Sequence, residues 1–244
     1  MSIPLVSVIM TAYNCEKYLE EALSSIYSQT FRDFEIIFYD DASTDDTWRT
    51  ALNFFKKNNT KFMGKHVMRM GMTNVGCGEG RNRAISLSKS KYIMIQDADD
   101  YSMPHRLEQE VHFMEAHDDI FCVGGLAIKV DEKGDFVEPM EYPPKMHEDI
   151  YNEMMVKKNN PIIDPSCMFK REVFNELGGY SKQWRLIPDF NLWVRAAISG
   201  YKFHNIEDHL VQYRQHPNSI TNKHEMAVVR EHFDMCKQLL AKAV

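Results

Sequence analysis

Residues 91–110 read KYIMIQDADDYSMPHRLEQE, and they change character halfway. Tyr92, Ile93, Met94 and Ile95 have the composition of a short strand buried on both faces. Asp97, Asp99 and Asp100 then arrive within four residues, before Pro104 opens a helical run. Carboxylates crowded this closely repel one another and raise one another's pKa unless a cation sits among them. A solvated turn is the plain alternative, because Asp favours turns and helix starts. Asp97 and Asp99 lie two apart, so in extended chain they project from one side. That spacing suits a hard divalent ion held by one or two carboxylates, with phosphate oxygens and water completing the shell.

Upstream, strands and helices alternate. LVSVIMT reads as a buried strand, and EKYLEEALSSIYSQ places Leu19, Ala22, Leu23, Ile26 and Tyr27 at helical spacing. FEIIFY is the next strand. STDDTWRTALNFFKK reads as a helix with Ser43 facing Asp46 at capping-box spacing. HVMRM is a weaker strand, and GRNRAISLSKS a short helix after a flexible GCGEG turn. This order predicts an α/β fold with a mainly parallel central sheet flanked by helices. In such sheets ligands bind beyond the carboxyl ends of the strands.

Downstream, RLEQEVHFMEAH is a helix, IFCVGGLAIKV a strand, and DEKG a hairpin turn. HEDIYNEMMVKKN reads as helix, SCMF as strand and DFNLWVRAAIS as helix; KFHNI and LVQYRQH read as two strands. The tail from Glu225 carries Met226, Val229, Phe233, Cys236 and Leu240, the stripe of an amphipathic helix packed on the body. No linker rich in Pro, Ser or Gly divides the chain. The expectation is one domain, with a nucleotide-binding half over about 1–100, an acceptor half over about 101–223, and a closing helix over 224–244.

Three strand ends carry residues suited to a nucleotide. TAYN offers hydrogen bonds from Thr11 and Asn14 and a flat ring at Tyr13. Asn14 reads better as the cap of the helix that follows, and Tyr13 is balanced between stacking on a base and filling the core. YDDAS offers Asp40 and Asp41, where a carboxylate can accept the N3 proton of uracil, which cytosine lacks. A phospho-acceptor cluster of a receiver domain is the rival, but such a domain fills only about half of this length. GCGEG fits neither the dinucleotide fingerprint nor the P-loop, which leaves Arg81 as the useful residue there. A guanidinium can grip a diphosphate with two bonds, or it is an exposed helix-start charge.

Composition removes several classes. A formal net charge of −6 argues against a nucleic-acid partner. No run approaches the ~18 apolar residues of a membrane helix, and no signal peptide precedes PLVSVIM. Five scattered cysteines, without a Cys-x-x-Cys pair, give neither a zinc site nor a disulfide framework and fit a cytoplasmic protein with reduced thiols.

Seven stretches in order carry a resemblance: VSVIMTAYN, SIYSQTFRDFEIIFYDDASTDDT, TNVGCGEGRNRAI, YIMIQDADDYSMPHRLE, NELGGY, PDFNLWVRA and YRQHPNSIT. The chain resembles the inverting, nucleotide-sugar-dependent enzymes of glycosyltransferase family 2, which have the GT-A fold. The resemblance implies that Thr11, Ala12, Tyr13 and Asp41 hold the uridine, with Arg81 beside it or the diphosphate. It makes Asp97, Ala98 and Asp99 the Asp-x-Asp element, with Asp97 toward ribose and metal and Asp99 the direct ligand of Mn²⁺ or Mg²⁺. It places the catalytic base at Asp189 and a closing metal or diphosphate ligand at His216. Asp189 could instead cap its helix, and His216 could be an ordinary exposed histidine. Pro188 stands where many members have Glu, and the Gln-x-x-Arg-Trp element of processive synthases is absent.

The implied reaction moves one sugar from a UDP-sugar to a hydroxyl of a glycan or lipid-linked glycan, with inversion. With no transmembrane segment, membrane contact would be peripheral. A sugar-nucleotide pyrophosphorylase would carry a Gly- and Arg-rich loop where this chain has TAYNCEKYL. A non-catalytic nucleotide-sugar-binding module is the rival outside enzymes.

Overall fold

The structure is a computed structural model in which residues 3–58, 65–140, 143–217, 219 and 223–240 are described. The first half alternates as the sequence indicates: β1 (Val6–Ala12), α1 (Glu16–Tyr27), β2 (Phe34–Asp40), α2 (Thr47–Asn58), β3 (His66–Met70), α3 (Cys77–Ile85) and β4 (Tyr92–Asp97). Then come β5 (Tyr101–Ser102), α4 (Arg106–Ala116), β6 (Ile120–Val130), β7 (Phe136–Pro139) and α5 (His147–Asn152), which runs on as a π turn over Glu153–Lys157. The rest is β8 (Met168–Lys170), α6 (Arg171–Glu176), α7 (Pro188–Ile198), β9 (Lys202–Arg214) and α8 (Glu225–Leu240).

Among the described residues the strands form one sheet in the order β3-β2-β1-β4-β8-β6-β9-β5, with β7 paired to β6. From β3 to β4 all pairings are parallel. Beyond β4 the sheet is mixed: β8 runs antiparallel to β4 and β6, β9 parallel to β6, and β5 antiparallel to β9. The mainly parallel expectation therefore holds for the first half, where each strand is followed by the crossover helix that parallel pairing needs. The expected DEKG turn closes the β6–β7 hairpin, with Gly134 at φ +90°.

The sheet is buried on both faces, which is why its first strands read as unbroken apolar runs. Val6, Val8 and Met10 of β1 pack with Leu19, Leu23 and Phe55 on one face. Ile9 faces the other way, with Ile37, Ile93, Ile95 and Trp193. Trp193 is 0% exposed and its ring meets those of Phe121, Phe169 and Phe203. Truncating it to Ala would cost about 3–5 kcal/mol. Helix α7 is thus fixed to the sheet one turn from Asp189.

Five local expectations are corrected. Ser43 makes no capping box: its hydroxyl accepts the Asn14 N–H, and α2 starts only at Thr47. Asn14 does not cap α1; at φ +51° it turns its side-chain oxygen to the Thr44 N–H, and Cys15 holds the cap position. GCGEG is no flexible turn, because α3 begins at Cys77. A Cβ on Gly78 would lie 2.8 Å from Pro188 Cβ, so that glycine is there for close packing of α3 on α7. KFHNI and LVQYRQH are one strand, β9. Gly125 pairs with Ile206 and Leu126 with His209, so the polar Glu207 and Asp208 are bulged out of register. Of the stripe expected to dock α8, Cys236 does face the core, but Met226, Val229 and Phe233 are exposed, and Val228 and Met235 take their place at the docked face. The side chain of Leu240 and residues 241–244 lie outside the described residues.

Candidate active site

In-phase parallel register sets the first wall. Thr11 sits beside Asp97 across β1 and β4, and Ala12 beside Asp40 across β1 and β2. The strand ends named from sequence therefore share one edge of the sheet. Tyr13 stands there half exposed, so it is not a core aromatic. Asp41 is buried, and its carboxylate accepts the N–H groups of Val75 and Gly76. Those bonds occupy three of about four lone-pair sites, which leaves one on Oδ1.

The acidic turn is held by residues far away in sequence. Arg214, at the end of β9, donates its backbone N–H to Asp100 Oδ1 at 2.8 Å and its Nε to the Asp99 carbonyl at 2.9 Å. Gln96 closes the turn from inside, donating to the carbonyls of Asp97 and Asp100. His216 is buried, not an exposed histidine: its Nε2 lies 2.9 Å from Asp99 Oδ2 and its ring packs on Tyr18. Of the HPNSIT stretch, residues 218 and 220–221 lie outside the described residues.

Ligand atoms of Asp97, Asp99 and Asp100 lie within 4.8 Å of one another. Asp100 is 2% exposed and its Oδ2 has no hydrogen-bond partner among the described residues. An orphaned buried carboxylate oxygen beside two more carboxylates is costly unless a cation satisfies it. The residues present therefore fit a hard divalent ion. Burial, followed by the charges of Asp99 and Asp97, pushes the Asp100 carboxyl well above the usual carboxylate range. Asp97 is raised too, by burial first, against the pull of Arg81.

Arg81 is not an exposed charge. Its side chain is 3% exposed and forked between Asp97 Oδ1, at 2.8 Å, and Asp164 Oδ2, at 2.5 Å. It grips Asp97 from behind. Burial pushes the Asp164 carboxyl up to about 7, with the Asp189 and Asp97 charges adding to the effect. The Asp189 charge adds to the upward push on both Asp97 and Asp164.

Asp189 is not the cap of α7. Ile187 holds the cap position, Pro188 and Asp189 are in the first turn, and no side chain caps the helix. Its Oδ2 accepts a bond from Asn160 Nδ2 at 2.8 Å. A carboxylate there gains from the helix dipole without serving as a cap. Sequence reading missed Asp100 as a possible ligand, and it missed Asp164, Asn160 and Arg214. Their partners are distant in the chain, so no local spacing signals them; only DADD itself pointed to Asp100.

The glycosyl transferase family 2 model matches residues 7–178, and the chain belongs to that family. An uncharacterized glycosyltransferase of Methanocaldococcus jannaschii is 31% identical over 215 residues, 88% of this chain and 72% of that protein. The UDP-Glc:alpha-D-GlcNAc-diphosphoundecaprenol beta-1,3-glucosyltransferase WfaP of Escherichia coli is 28% identical over 229 residues, 93% and 84% of the two chains. Among solved structures, S. aureus TarS in complex with UDP-GlcNAc aligns with a TM-score of 0.72 at 18% identity, over 98% of this chain and 69% of that one. The mannosyltransferase PcManGT of Pyrobaculum calidifontis, in complex with GDP-Man and Mn²⁺, gives 0.72 at 20%, over 100% and 69%. These two share the GT-A fold with this chain. Among the described residues no helix is long and apolar enough to cross a membrane.

Proposed function

We propose that the protein transfers a single sugar from a UDP-sugar to a hydroxyl of a glycan or lipid-linked glycan, with inversion and with Mn²⁺ or Mg²⁺ at the acidic turn. The observation that carries this reading is the three-carboxylate cluster at the strand end, within 4.8 Å and holding one orphaned oxygen on Asp100. The UDP named for WfaP and TarS supports the choice of base, and the lipid-linked acceptor named for WfaP supports the acceptor class. Acceptors of that kind fit a protein that meets the membrane only at its surface. The two functional halves expected from sequence then correspond to the parallel part of the sheet and the mixed part.

Thr11, Ala12 and Tyr13 would hold the uridine, with the Tyr13 ring on the base and the spare lone pair of Asp41 on N3. Ala98, buried between the two carboxylates of the turn, keeps Asp97 and Asp99 facing the diphosphate. Arg81 fixes the direction of Asp97 and would stand beside the uridine or the diphosphate. Asp97, Asp99 and Asp100 would hold the cation. His216 can join them only through Nε2 without its proton, so the bond to Asp99 is the alternative to ligation. A bound divalent ion would neutralise charge developing on the departing diphosphate. Asp189 takes the proton of the attacking hydroxyl, a poor nucleophile at neutral pH. The Asn160 bond to Oδ2 holds the carboxylate and leaves Oδ1 for the proton. One carboxylate suffices on that side, whereas a retaining glycosidase needs two flanking the bond.

The test is a calorimetric titration of UDP in Mn²⁺ and in EDTA. Binding should depend on the ion, and equal affinity in the two would remove the acidic turn from the donor site.

A further inference from the structure

Helix α8 was expected to dock through an apolar stripe, but its docked face carries two polar residues. The Glu231 carboxylate accepts three consecutive backbone N–H groups: Arg185 at 3.1 Å on Oε1, and Leu186 at 2.6 Å and Ile187 at 3.2 Å on Oε2. These are the three residues that lead into Pro188 and Asp189. A helix start leaves backbone donors without partners, and α7 has no side-chain cap of its own. Glu231 takes the N–H of the cap residue Ile187 and those of the two residues before it, so it holds the entry into α7 from another element.

The next residue ties a second segment to the same helix. The His232 ring stacks on Phe190, with centroids 4.7 Å apart and planes 4° from parallel. Its Nε2 donates to the Lys158 carbonyl at 2.6 Å. Lys158 ends the π turn at φ +62°, two residues before Asn160, the donor to Asp189 Oδ2. Two adjacent residues of α8 thus hold both the backbone that carries Asp189 and the segment that orients its carboxylate. On the side of α3, Gly78 packs closely on Pro188 and limits movement there.

We propose that α8 is a clamp that sets the position of Asp189, with Glu231 and His232 as positioning residues for the transfer step. The proposal rests on Asp189 being the base, as argued above. Among the described residues, Glu231 and His232 make no hydrogen bond to the acidic turn or to the uridine wall. The clamped segment meets that wall where Arg185 Nη2 donates to Asn74 Oδ1 at 3.0 Å, so loss of the clamp acts first on the rate and far less on donor binding. Misplacing a reacting group by about 1 Å can cost on the order of 10²-fold in rate.

The test compares Glu231→Ala, Asp189→Asn and the double variant in the full chain. Rates are read as UDP release, with donors drawn from UDP-glucose and UDP-N-acetylglucosamine in Mn²⁺. Glu231→Ala should lower kcat by about 10–100-fold, while acceptor KM and UDP affinity stay within about twofold. The double variant should be no slower than Asp189→Asn alone, because a residue acting through Asp189 has nothing left to lose once that proton acceptor is gone. Amide exchange at Leu186 and Ile187 should speed up in Glu231→Ala and stay unchanged at Asp97–Ser102. Losses that multiply in the double variant, or a parental rate in Glu231→Ala, overturn the clamp. If Asp189→Asn keeps the parental rate, the assignment of the base falls instead, and the exchange data still report whether Glu231 holds the loop. Glu231→Gln keeps one acceptor oxygen and serves if the alanine variant does not fold. It should show a smaller loss of the same kind, and a parental rate with unchanged exchange overturns the proposal equally.

Discussion

Replacing Arg81 by Met removes a guanidinium whose side chain is 3% exposed and leaves two carboxylates, Asp97 at 30% and Asp164 at 13%, facing its apolar substitute. Breaking a buried ion pair by deleting one partner costs roughly 3–5 kcal/mol, because the remaining charge is uncompensated. The partial exposure of Asp97 lets water recover some of that, so the loss at about pH 8 should be near 3 kcal/mol. For a chain of this size that lowers Tm by about 6–12 °C. The loss must also depend on pH. Burial already pushes the Asp164 carboxyl up from 3.8 to about 7, because it favours the neutral form. Without Arg81 its folded pKa rises further above the unfolded one. A carboxyl raised in this way makes the fold lose stability as pH rises through the folded value. The penalty should therefore shrink at about pH 5.5, where Asp164 can take a proton. Urea unfolding at the two pH values measures it, with Asp164→Asn as the control that keeps the Arg81–Asp97 pair. A loss under about 1 kcal/mol at the higher pH, or one that does not change with pH, would refute the reasoning.

Asp99→Ala should make UDP affinity indifferent to Mn²⁺; calorimetry showing that the ion still tightens binding would move the site elsewhere. If Tyr13 stacks on the base and Asp41 reads N3, UDP should bind more tightly than CDP or GDP, and Tyr13→Ala should weaken all three; equal affinities in the parent would remove both assignments. Glu110 is fully buried, paired with Arg106 at 3.0 Å, and burial pushes its carboxyl up from 4.5 to about 7. The fold should therefore lose stability through Glu110 as pH rises between those values, by about 3 kcal/mol at most. In Glu110→Gln the slope of unfolding free energy against pH over that window should flatten, and an unchanged slope would contradict the reading.

The first half of the fold was legible because each parallel strand, buried on both faces, announces itself as an apolar run followed by an amphipathic helix. The strand ends were legible for the same reason, since in-phase register needs only the strands to be placed. Readings failed where a local rule met a distant partner. Gly78 looked like a turn residue because nothing near it in sequence reveals Pro188. Ser43 stood at capping-box spacing, but its hydroxyl was already taken by the Asn14 N–H. The outward stripe of α8 was as periodic as its docked face, and Glu231 and His232 made the docked face look solvated. Asp164 and Arg214 belong to the site only through bonds to residues far away in the chain, and single-sequence periodicity carries no trace of such contacts.

The central claim is that Asp189 removes the acceptor proton while the acidic turn holds the donor. Asp189→Asn tests it most directly, because asparagine keeps an oxygen for the Asn160 bond but cannot accept a proton at neutral pH. The measurement is the initial rate at saturating donor, with a UDP titration in Mn²⁺ on the same protein. The rate should fall by roughly 10²–10⁴-fold, with UDP affinity and Tm unchanged. A variant that transfers sugar nearly as fast as the parent would contradict the account.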